Sequence, residues 1–213
     1  MYGPTPEDIF YYLTLYNENY VMPPMPEGVA PGILQGLYLF RPSSLPAERP
    51  RVQLLGSGSI LGEALRAQQI LDERFGVAAD VWSATSYKEL RREALECERW
   101  SLLHPDQEPR VPYVTRVLGG ARGPVVAVSD FMKAVPDQIA RWVRPGLLPL
   151  GTDGFGRSAT REELRRFFGI DAGHVALAAL AELARRGEIS RHVAALAVRE
   201  LDIDPESANP LTR

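Results

Sequence analysis

Three stretches of the chain carry residue types and spacings that could do chemistry. GSGSILG at residues 56–62 follows an apolar run and opens a helical pattern. Glycines in that setting let a pyrophosphate approach a helix N-terminus, as in dinucleotide-binding proteins. The spacing departs from that fingerprint, because Leu61 stands where its last glycine is needed and Gly62 comes one residue late. Asp80 also begins the next predicted strand, whereas a ribose-binding acid should end it. A tight strand-to-helix turn is the better account. Cys97 and His104 lie seven residues apart. On one helix that is a rise of about 10 Å, too far for a thiolate–imidazole pair. Cys97 shares a stripe with Leu90 and Ala94 and reads as a small core residue; His104, before Pro105, reads as a helix end. His174 and His192 are remote from both. No His/Cys/carboxylate spacing suits zinc, and neither GxSxG nor GxxxxGK[ST] occurs. The third stretch, GTDGFGRS at 151–158, is the sharpest. Its three glycines permit a sharp loop at the C-terminal end of a strand, where α/β proteins place ligands. Phe155, between Gly154 and Gly156, is either tucked into its own domain or offered to a partner.

The elements that must position these residues follow from periodicity. Short apolar runs predict strands at 37–41, 51–55, 79–84, 124–128 and 147–150. Between them, helical patterns occupy 59–75 (stripe Leu61, Ala64, Leu65, Gln68, Leu71, Phe75), 86–103 behind a Ser86/Glu89 capping box, and about 113–119. A helix over 130–143 is expected to start a second segment at Pro136. Thr160/Glu163, Asp171 and Ser190 cap three further helices, and Gly187 ends the second of these. Alternating strands and helices predict an α/β domain with a mostly parallel sheet. Strand 37–41 reaches its neighbour without a clear crossover helix and is expected to be antiparallel at the edge. Upstream, IFYYLTLY at 9–16 reads as a strand buried on both faces, and Pro23, Pro24, Pro26 and Pro31 make the segment after it an extended linker. That strand needs a sheet the chain does not provide, so a fragment or a sheet from another chain is implied.

Composition sets the outer limits. The 213 residues are 45% hydrophobic and 24% charged, with a net charge of −3 and a pI near 5.7. Nothing here points to nucleic acid or an anionic membrane as partner. Among 24 basic residues only Lys88 and Lys133 are lysines. A lone cysteine excludes an intramolecular disulfide and fits a reducing cytoplasm. The apolar runs are too short to predict a membrane span.

Taken in series, FYYLTLYNENYVMPPMPEGV, VQLLGSGSI, DVWSATS, ERWSLLHP, PRVPYV, VAVSDFMK, LGTDGFGRSATREELRRFF and ALAELARRGEI resemble the homodimeric pyruvate dehydrogenase decarboxylating component, over essentially the whole chain. The resemblance implies a three-layer domain like the C-terminal domain of transketolase, with a five-stranded mixed sheet and one antiparallel edge strand. It implies residues 1–20 as the last strand of an upstream pyrimidine-binding domain, 21–36 as a Pro-rich linker and 37–213 as the C-terminal domain. The family decarboxylates pyruvate on thiamine diphosphate with magnesium and acetylates the lipoyl group of a partner acetyltransferase. The family's GDG…N motif for diphosphate and metal is absent, since TDG at 152–154 has no matching Asn. No catalytic, cofactor-binding or metal-ligating residue is therefore expected on this chain. Asn17, Glu18 and Asn19 would sit near the substrate cleft, without a cation for a phosphorylated substrate, or anchor the linker. Asp153, Phe155 and Arg157 are the interface candidates. The expected partners are the remainder of the dehydrogenase, a second protomer and dihydrolipoyl acetyltransferase. The chain alone is expected to serve assembly and dimerisation without catalysing; the alternative is a free-standing α/β protein-binding module.

Overall fold

Apolar residues that alternate along two strands organise the domain. In the computed structural model, which describes residues 4–13, 15, 19–21, 23–144 and 146–212, β2 (Arg51–Gly56) and β4 (Val125–Val128) run side by side and parallel. Val52, Leu54, Val126 and Val128 face one side, and Leu55, Val125 and Ala127 face the other. Two-residue periodicity with both faces apolar demands cover on both faces. The first face is covered by α2 (Leu61–Phe75), α7 (Ala172–Arg185) and α8 (Arg191–Glu200), through Ala64, Ala67, Leu71, Val175, Ala179, Leu180 and Ala197. The second is covered by α3 (Tyr87–Leu103), α4 (Tyr113–Leu118) and the turn at Ala140–Trp142. The result is three layers.

Flanking these strands are β3 (Ala78–Ala84), parallel to β2, and β5 (Leu147–Leu150), parallel to β4. β1 (Leu37–Arg41) pairs antiparallel with β3, giving the order β1-β3-β2-β4-β5. The five strands and the antiparallel edge agree with the sequence-based expectation. Both edge strands are irregular. β1 breaks register between Leu39 and Arg41, and β5 carries Pro149 opposite Ala127.

Helix starts follow the capping residues. The Ser86 side chain accepts from the Glu89 amide, Thr160 and Glu163 close a reciprocal capping box on α6 (Arg161–Phe167), and Asp171 caps α7 by accepting from the His174 amide. Ser190 caps α8. His104 ends α3, stacked on Trp100 with its ring nitrogen 2.8 Å from the Trp100 carbonyl oxygen. Cys97 is buried against α3's own Glu93. Burial first, then the Glu93 carboxylate, pushes its thiol up to about 11, so it is a core residue and not a nucleophile.

Several expectations are corrected. The Pro-rich segment is not extended throughout. Ala30–Gln35 form α1, because Pro31 falls in a first turn, where its missing N–H is not needed, and Gly36 closes the helix at φ +98°. The expected helix over 130–143 is two short pieces, α5 (Ala134–Asp137) and the turn Ala140–Trp142. Pro136 lies in the first turn of α5 and does not open a second segment. A longer helix would require it to donate to Met132, whose carbonyl instead accepts from Val135. The strand expected at 9–16 depends on a sheet from outside the chain; without one its described residues pair with nothing and lie exposed, with Phe10 at 85% and Tyr12 at 87%. By length and composition the stretch Arg161–Arg185 could cross a membrane. It is in fact two helices broken at Gly169 (φ +66°), with half of its most apolar window inside the domain.

Candidate functional site

The C-terminal ends of the parallel strands converge on one edge of the domain, the end at which α/β sheets place ligands. β2 runs out at Gly56 into a tight turn over Ser57–Ile60, in the place of a dinucleotide loop. A side chain at Gly56 would meet the Leu61 backbone at 2.8 Å, so this glycine serves helix–strand packing. Asp80, the acid weighed as a ribose ligand, instead accepts from Arg51 at 2.7 Å, from the Ser43 amide at 2.8 Å and from Gln53 at 3.1 Å. That network lies at the opposite end of the sheet.

After β4 come Ser129–Lys133, and after β5 come Gly151–Arg157. Backbone bonds tie the two loops together. Thr152 donates its amide to the Phe131 carbonyl and its hydroxyl to the Asp130 carbonyl, each at 2.9 Å. Asp153 accepts from the Lys133 amide at 2.9 Å. Two of the three glycines are required by close approach. A Cβ on Gly151 would lie 2.5 Å from the Phe131 carbonyl oxygen, and one on Gly154 would lie 2.2 Å from that of Pro210. Gly156 has open space around it. Of the three interface candidates, Asp153 holds the loops together. Phe155 is 82% exposed, so it is not tucked into its own domain. The Arg157 guanidinium sits 4.2 Å above the Phe167 ring.

Beneath these loops lies a cavity of about 270 Å³. Ile60, Leu164, Phe168 and Ile170 supply its apolar lining; Arg157, Arg161, Arg165, Asp130 and Thr152 supply its polar one. Arg165 is fixed from two sides. One guanidinium nitrogen donates to Glu63 at 2.9 Å and the other to the Tyr20 hydroxyl at 3.1 Å. Glu63 is only 1% exposed, also pairs with Arg66, and accepts from the Ala172 amide at 2.9 Å, the first residue of α7. A carboxylate at a helix N-terminus is favoured by the helix dipole and by the unpaired N–H groups there. Asp171, beside it, is held below the usual carboxylate range. Burial alone would raise its carboxyl, but bonds from the His174 side chain and amide and from Arg166 outweigh that and bring it to about 2.

Glu63, Arg165 and Tyr20 escape a reading of the sequence alone. The signal for Glu63 is its spacing, four and eight residues before Ala67 and Leu71, which puts it on the buried stripe of α2. Nothing local marks Arg165, in an exposed-looking REELRRF helix, or Tyr20. Of the NENY candidates, Asn17 and Glu18 lie outside the described residues, and Asn19 is exposed. Among the described residues no group of three or more His, Cys, Asp or Glu is placed to hold a metal ion. His174 is paired with Asp171, and the chemistry on offer at this edge is charge and apolar surface.

Comparison with known proteins gives this geometry a lineage. Residues 36–171 match the model of the transketolase-like TK C-terminal domain. A pyruvate dehydrogenase E1 component of Pseudomonas aeruginosa is 52% identical over 206 residues, which is 96% of this chain and 23% of that protein. The Escherichia coli and Mycobacterium tuberculosis counterparts are 47% and 49% identical over 211 residues, in each case 99% of this chain and 23% of the relative. The chain thus spans about a quarter of the length of these curated relatives. A solved transketolase from Pichia stipitis shares the fold, with a TM-score of 0.52 and 18% identity over 78% of this chain and 21% of that one. The chain belongs to the transketolase-like C-terminal domain family, and over nearly its whole length it is similar to the C-terminal region of pyruvate dehydrogenase E1 components.

Proposed function

We propose that this chain is the C-terminal portion of a cytoplasmic pyruvate dehydrogenase E1 component and serves its assembly and dimerisation. The observation that carries the reading is the identity of about half, sustained along nearly the full chain, to one kind of protein of which the chain spans 23%. In this reading the remainder of the polypeptide decarboxylates pyruvate on thiamine diphosphate and magnesium and passes the acetyl unit to the lipoyl group of dihydrolipoyl acetyltransferase. The residues present do not fit that cofactor. Glycines 151 and 154 are closed in by the Phe131 and Pro210 backbones and leave no diphosphate cradle between them. The acidic side chain within the loop, Asp153, is already committed to the Lys133 amide. The chain's own contribution is a rigid edge from which Phe155 projects, and exposed aromatics of this kind anchor many interfaces.

The test has two arms. Calorimetric titration of the 213-residue chain with thiamine diphosphate and magnesium should show no saturable binding, and mixing with the upstream polypeptide should restore pyruvate decarboxylation. Saturable micromolar binding by the chain alone would overturn the reading. Phe155→Ala should weaken that reconstitution and shift the chain's own stability by less than about 0.5 kcal/mol, as for an exposed side chain. A large loss of folding stability with unchanged reconstitution would make Phe155 structural.

A further inference from the structure

We propose that the cavity beneath the 130–133 and 151–157 loops is a binding site for a small apolar monocarboxylate. Its two halves ask for an amphipathic ligand. The floor is Ile60, Leu164, Phe168 and Ile170, which can take an aliphatic tail and offer nothing to a polar one. The rim carries Arg157, Arg161 and Arg165 with one carboxylate, Asp130; with Arg165 paired to Glu63 it keeps a modest cationic excess. The arginines are not equivalent. Arg165 is held between Glu63 and Tyr20, so its charge and its hydrogen bonds are already committed. Arg157 is stacked on Phe167 and makes no ion pair or hydrogen bond among the described residues. Stacking fixes the plane of a guanidinium while leaving its N–H edge pointing outward, the geometry that grips a carboxylate with two parallel bonds.

The same features select against neighbouring ligand classes. A phosphate would bring oxygens against four apolar side chains that cannot hydrogen-bond them, a costly desolvation. A dianion would also meet about twice the repulsion from the Asp130 carboxylate that a monoanion meets. A neutral alcohol of the same length would satisfy the floor and leave Arg157 unused. The volume, about 270 Å³, is just below the usual range of small-molecule sites and suits a short acyl chain better than a nucleotide.

The probe is hexanoate, titrated into the isotope-labelled 213-residue chain and followed by amide chemical shifts. Saturable shifts are expected at Ser59, Thr152, Gly156, Arg157 and Leu164. Acetate, pyruvate, phosphate and hexanol should each bind about tenfold more weakly or less. Arg157→Gln changes an exposed side chain and should weaken hexanoate about tenfold. Gly156→Leu, whose new side chain starts in open space at the cavity mouth, should abolish the shifts. The proposal fails if hexanoate does not saturate by about 20 mM, or if the shifts map elsewhere. It also fails if phosphate or hexanol binds as well as hexanoate, or if Arg157→Gln binds as the parent does.

Discussion

The segment IFYYL at residues 9–13 and strand β4, VVAV, are both continuous apolar runs, and they meet opposite fates. β4 has parallel neighbours on both sides and helices on both faces, and all four of its residues are buried. The upstream run lies in the open, with Phe10 and Tyr12 more than four-fifths exposed. Composition cannot separate the two, since each would gain about 1.5–3 kcal/mol per large side chain by burial. The difference is the supply of partners. β4 lies between β2 and β5, which the chain itself provides; the upstream run finds no strand to pair with among the described residues. An apolar strand is therefore a demand for neighbours, and its burial reports whether the demand has been met.

Downstream of the exposed run, Tyr20 meets the domain through Arg165, which Glu63 holds, and this junction gives the largest expected effect. Glu63→Ala removes a buried carboxylate that Arg165, Arg66 and the Ala172 amide all use. It should cost about 3–5 kcal/mol, the usual penalty for stranding one member of a buried pair. Chemical denaturation of the variant checks this, and a loss under about 1 kcal/mol would mean that water readily replaces the carboxylate.

Next in size is the cap beside it. Asp171 titrates at about 2 in the folded chain, below its ordinary 3.8. Its stabilisation is present in full above the ordinary value and drains away as pH falls from about 4 through about 2. At neutral pH, Asp171→Ala should cost about 2 kcal/mol, combining the lost cap with the lost charge. The gap between parent and variant should narrow as acid protonates the parent carboxyl. Urea midpoints measured across that range test the sign, and a gap that widened in acid would refute it.

The smallest effect sharpens the contrast itself. The double variant Phe10→Ser, Tyr12→Ser should leave the folding stability of the 213-residue chain within about 0.5 kcal/mol, because both side chains are already in water. Its amides over 9–13 should exchange with solvent as fast as those of the parent. Strong protection in a verified monomer would show that the run does find a sheet.

How much could be read beforehand follows the same logic. The five strands, the antiparallel edge and the Ser86, Thr160, Asp171 and Ser190 caps were legible because each depends on a few adjacent residues. The position of Phe155 on an exposed loop was half legible. Its glycine neighbours predicted the turn, and only the fold showed which way the ring faces. The Glu63–Arg165–Tyr20 cluster joins residues 43, 102 and 145 positions apart. No local pattern encodes such a meeting. α1 was hidden by a density of prolines that reads as extended, although one of them stands where a helix accepts it.

The irregular edge strands have a further consequence. A sheet with regular borders invites growth, because unpaired amides and carbonyls along a border template another strand. Here the antiparallel border loses register between Leu39 and Arg41, and the parallel border carries Pro149, which has no amide to donate. A hydrophobic strand arriving from outside, including the chain's own upstream run in a neighbouring molecule, would find no uninterrupted ladder on either side. The domain is thereby guarded against edge-to-edge growth into fibres.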